Sequence, residues 1–105
     1  MNTQLIQGNA EMLKQDTERH FEAAQALKEA KANLDKRKAE IIAAGIEGKN
    51  KEERDAKLEL ALVKHIEDLA LFQAAYDKAS LHLTLATIDW DSTKYQVRLL
   101  EALKH

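Results

Sequence analysis

The sequence predicts an all-α protein, a long antiparallel helical hairpin of the coiled-coil kind, and three observations carry that expectation. Apolar residues recur at heptad spacing, through Ile6, Leu13, Leu27, Leu34 and Ile41 and again from Leu58 through Leu62, Leu69, Phe72, Tyr76, Leu83, Trp90 and Val97. The chain has no proline, so no position forbids helical backbone. The turn-forming residues cluster once, at Gly45-Ile46-Glu47-Gly48. A sustained seven-residue period with charged flanks builds an apolar seam that a second helix must cover, and one short break lets the chain supply that helix itself. At 105 residues the chain forms a single domain whose small core favours pairing with a second copy, giving a dimeric helical bundle.

The first helix is expected over residues 3 to 44. Asn2 or Thr3 can cap it, because either side chain accepts from the free amides of a first turn. Gly8 weakens that start by roughly 1 kcal/mol relative to alanine, so the opening turns depend on packing against Leu5 and Ile6. From residue 10 onward Ala, Glu, Lys, Gln and Leu dominate, with His20, Ala23 and Ala30 on the seam. Lys36, Arg37 and Lys38 fall in the closing turns, where cations complement the negative helix end, and Gly45 follows as a left-handed cap. After a turn over residues 45 to 50, Asn50 caps a second helix over 51 to 104, with Glu53 placed to reach back to the Asn50 amide.

A turn centred near residue 47 sets the expected register. It places Leu34 near Leu58, Ala23 near Leu69, His20 near Phe72, Asp16 near Tyr76 and Ile6 near Ala86, with a shift of one heptad as the alternative. In that register Asp91 to His105 has no intramolecular partner. Thr87 to Thr93 is rich in β-branched and cap-forming residues, so a break near 88–92 with a third helix folding back is the rival to a continuous helix. Leu81, Leu85 and Ile88 extend an apolar stripe away from the seam, and Tyr95, Leu99 and Leu103 continue it. A helix apolar on two faces packs on two sides, and these six residues are the expected self-association surface of a homodimer.

Composition narrows the rest. A net charge of −2 gives no global attraction to nucleic acid or to an anionic membrane. The absence of cysteine excludes disulfides, thiolate metal sites and thiol nucleophiles, and it suits a reducing cytoplasm. No apolar run reaches the ~20 residues of a membrane span. The opening Met1-Asn2-Thr3-Gln4 lacks the basic start and apolar stretch of a secretory signal, which again points to the cytoplasm. His20 and His65 both fall on seam positions, but neither has the Glu-x-x-His spacing of a helical metal site, so both read as hydrogen-bonded core residues. His82 and His105 read as solvent-facing or terminal. No phosphate loop and no Ser-His-Asp or Cys-His set is present, so neither a cofactor nor an enzymatic activity is expected.

The turn is the second expected functional surface. Lys36, Arg37, Lys38, Lys49, Lys51 and Arg54 lie close to it, interleaved with Glu47 and other carboxylates that offset their charge. Such a tip fits an acidic protein partner; contact with nucleic-acid phosphates is the alternative, although no aromatic side chain accompanies the tip to stack on bases. The flank Ile46-Glu47-Gly48-Lys49-Asn50-Lys51-Glu52-Glu53-Arg54, followed by a Leu/Ala-rich helix ending in Tyr95-Gln96-Val97-Arg98-Leu99-Leu100, resembles small helical proteins of tailed bacteriophages and prophages. The resemblance implies a bacterial cytoplasm during infection, and it carries over no catalytic residue. The expected function is therefore a non-enzymatic protein–protein interaction module. An accessory nucleic-acid-binding factor of phage replication or recombination is the first alternative, and a structural or assembly protein is the second.

Overall fold

The computed structural model describes residues 3–104 and shows the expected helical hairpin. Helix α1 spans Thr3–Ala44 and helix α2 spans Lys51–Lys104. The expected cap at Asn2 and the position of His105 lie outside the described residues. Packing gathers into two compact units. A turn unit comprises Ala24–Ala75, and a terminal unit comprises Met1–Ala23 with Tyr76–His105.

In the turn unit, α1 ends as its sequence predicts. Gly45 takes a left-handed backbone, with φ of 91°, and its N–H donates to the Ile42 carbonyl at 3.1 Å. A side chain at this φ would clash with the following carbonyl, so glycine is the residue that stops the helix cheaply. The last turn of α1 contains no basic residue. Lys36, Arg37 and Lys38 therefore lie too far upstream for the dipole role assigned to them, since that effect fades within one turn.

Asn50 caps α2 as expected, its Oδ1 accepting the Glu53 N–H at 2.8 Å. Glu53 reaches back one residue further than a standard capping box requires, taking the Lys49 N–H at 3.3 Å in place of the Asn50 amide. The Arg54 guanidinium donates to the Gly48 carbonyl at 3.4 Å. A Cβ on Gly48 would lie 2.7 Å from Arg54 Cγ. The turn thus folds against the first turn of α2, and glycine is what allows the approach. Further along this unit Leu27 and Leu62 are buried, and Leu34 shares a groove wall with both Leu58 and Leu62.

The terminal unit corrects the expected register. His20 meets Ser80, with 3.1 Å between Nε2 and Oγ, and its ring lies 5.1 Å from that of Tyr76, so its partners are these two residues and not the expected Phe72. Asp16 lines a groove with His82, Leu85, Ala86 and Asp89, which lie further along α2 than the expected Tyr76. Asn9 donates to the Thr93 hydroxyl. In the terminal unit the helices are therefore offset by roughly one heptad from the turn-centred estimate, the alternative that the sequence left open, whereas in the turn unit Leu34 shares a groove with Leu58 as expected.

One further expectation changes with the register, and the expectation of a continuous second helix holds. Thr93 is only 4% exposed and Val97 is half-buried, so the expected overhang does not begin at Asp91; residues 98–104, all exposed, are what remains of it. Helix α2 also runs without a break through 88–92. Its poor helix formers are accommodated because the Thr87 hydroxyl returns a hydrogen bond to the Leu83 carbonyl at 2.8 Å, and the Thr93 hydroxyl one to the Asp89 carbonyl at 2.9 Å. Thr93 consequently uses its hydroxyl twice, donating within α2 and accepting from Asn9.

Candidate interaction surface

The basic residues near the turn do not converge on one face. Lys36 and Arg37 line a groove of about 310 Å³ with Ala30, Asn33, Glu40, His65, Asp68 and Phe72. Lys38 lines a different groove, among Asp35, Asp55 and Glu59. Arg37 pairs with Glu40 at 3.4 Å, Lys57 with Glu53 at 3.6 Å, and Arg54 is turned onto the Gly48 carbonyl. Glu47, Lys49 and Lys51 are exposed, and the backbone amide of Lys49 already serves the Glu53 carboxylate. Lys36 and Arg37 are thus separated from Lys38, Arg37 is paired, and Lys49 and Lys51 remain exposed at the turn.

The histidines separate. His20 has the hydrogen-bonded seam role expected of it, and His82 is exposed. His65 differs from expectation: it is half-buried, and its Nδ1 is buried with no hydrogen-bond partner. Among the described residues no group of three or more His, Asp or Glu could hold a metal ion. None of their helices is long and apolar enough to cross a membrane.

The outward face of α2 in the terminal unit is a different kind of surface. Leu81 is 57% exposed, Leu85 50%, Ile88 57%, Tyr95 68%, Leu99 51% and Leu103 75%. These are the residues expected to mediate self-association, and the structure leaves all of them uncovered on the opposite side of α2 from the buried Ala86 and Thr93. Two features were not foreseen. Met12 of α1, itself 55% exposed, flanks Leu85 in the same groove and widens the apolar face. Ser92 and Ala102, both exposed, occupy the intervening heptad positions of the stripe. Knowing the correct register would have revealed Met12, because only then do Met12 and Leu85 come level.

Trp90 belongs to the inner half of the helix. It is half-buried, and the Lys94 ammonium lies 6.0 Å from its ring centroid. Lys94 also pairs with Asp91 at 3.3 Å on the exposed side. Together these elements define a class, a two-helix hairpin whose longer helix carries a second, unpaired apolar stripe. Comparisons with protein-family models, curated proteins and solved structures find no match to this chain.

Proposed function

We propose that the protein is a non-catalytic interaction module that self-associates through the outward face of α2 in its terminal unit and presents its turn to a protein partner. One observation carries this reading. Five large apolar side chains, Leu81, Leu85, Ile88, Tyr95 and Leu99, are each at least half exposed on a helix whose other side is already packed. A contiguous apolar stripe of this kind is costly in water and marks a surface that another molecule covers. The proposed setting is a bacterial cytoplasm during phage infection, and its support is the resemblance of the Ile46 to Arg54 flank.

The test is the solution mass of the full chain by light scattering across concentration, beside the variant Ile88→Glu. The expected result is a dimer that Ile88→Glu converts to monomer while circular dichroism shows unchanged helix content. A native chain that stays monomeric at every concentration would overturn the proposal. Mass that continues to grow beyond the dimer would move the reading to an assembly protein.

A further inference from the structure

The outward stripe of α2 has a heptad of its own. Leu81, Ile88, Tyr95 and Ala102 recur every seven residues, and Leu85, Ser92 and Leu99 fall between them at alternating steps of four and three. All of these residues are exposed. The alternation is that of a coiled-coil seam, and residues bordering it decide which way a second helix runs. The borders are unevenly charged, with Asp89 and Asp91 beside the middle of the stripe and Arg98 beside its later half.

We infer that the occupant of this stripe is a second copy of the chain, laid antiparallel so that Ser92 packs against the partner's Tyr95, Ile88 against the partner's Leu99, and Asp91 against the partner's Arg98. The inference rests on the self-association proposed above and adds its direction and register. Two-fold symmetry makes every such contact twice, so this arrangement forms two Asp–Arg pairs and sets Asp89 beside the partner's Gln96 on the other border.

This register pairs Leu85 through Ala102 with the same stretch of the partner and leaves Leu81 outside the contact, and the neighbouring arrangements are worse in charge. Sliding the partner one heptad in one direction brings each Asp89 and each Asp91 onto its own symmetry mate. Sliding it the other way brings Arg98 onto Arg98. Like charges at seam borders are destabilising, so both slips are opposed. In a parallel pair Asp91 borders Gln96 and Arg98 borders Leu103, and no opposite charges meet. The central layer also suits the antiparallel register, because the Ser92 hydroxyl lies level with a tyrosine that can donate to it. The existing Asp91–Lys94 pair does not compete strongly, since its two side chains are 64% and 44% exposed.

The test reverses the charges in the full chain. Asp91→Arg and Arg98→Asp are made singly and together, and the dimer dissociation constant is measured by sedimentation. Each single reversal replaces two attractive pairs with two repulsive ones and should weaken the dimer about tenfold or more. The double reversal restores opposite charges and should recover most of that loss, while circular dichroism stays constant throughout. A second readout uses the absence of native cysteine. Ser92→Cys alone should not form an intermolecular disulfide, whereas Ser92→Cys with Tyr95→Cys should. A stable dimer indifferent to the single reversals, or one that Ser92→Cys alone crosslinks, would overturn the antiparallel register and leave self-association standing. A native chain that never dimerises would overturn both.

Discussion

In the turn unit the buried side chains are Leu27 and Leu62, whereas in the terminal unit they are Ala86, Asp16 and Thr93. The same heptad thus closes by different means in the two regions. Leucine layers gain from removal of apolar surface, at about 25 cal/mol per Å², and that gain is nearly indifferent to sliding by a heptad. The terminal unit instead matches donors to acceptors, Asn9 to Thr93 and His20 to Ser80. A slip there would bury groups without partners, which costs about 1–3 kcal/mol for each. The difference teaches that burial of leucine supports the turn unit, whereas matched polar pairs align the terminal unit. The region with the more polar interior also has the more apolar exterior.

The largest expected effect tests the first half of that contrast. Leu62→Ala removes a side chain that is only 5% exposed and should destabilise the fold by about 2–4 kcal/mol, read as a lower urea midpoint. A loss under about 1 kcal/mol would mean that the leucine layer is not the main support of the turn unit. Next comes Thr93→Val, which keeps the volume but deprives Asn9 of its acceptor. It should cost about 1–2 kcal/mol, and Asn9→Leu combined with Thr93→Val should recover most of it. If the double variant is as unstable as the sum of its parts, the hydrogen bond is not what aligns the terminal unit. The smallest effect is favourable. Gly8 sits within α1 with nothing within 4 Å of the place its Cβ would occupy, so Gly8→Ala should raise stability by about 0.5–1 kcal/mol in the same titration.

Much of this fold was legible in the sequence. The bounds of both helices, the left-handed Gly45 and the Asn50 cap follow from short-range chemistry that a few neighbouring residues determine. Register was legible only to within a heptad, because successive apolar layers are interchangeable and the hydrogen bonds that select one, Asn9 to Thr93 and His20 to Ser80, join residues far apart in the sequence. The break considered near 88–92 failed for a related reason. Propensity counts against Thr87 and Thr93 singly, but their hydroxyls bond within the helix and Thr93 also packs against Asn9. The uncovered stripe could be read from its period, whereas the separation of Lys36 and Arg37 from Lys38 into different grooves required the helices to be placed first.

The hydrogen bonds that order the turn join residues three to six positions apart, whereas Asn9 and Thr93 are 84 positions apart. Chain entropy makes distant closure slower and more costly, by about 0.6 kcal/mol for each doubling of the enclosed length. Zippering outward from Gly45 avoids most of that cost, because each new layer closes only a short additional loop. The topology therefore favours ordering from the turn outward, with the Asn9–Thr93 bond among the later contacts to close.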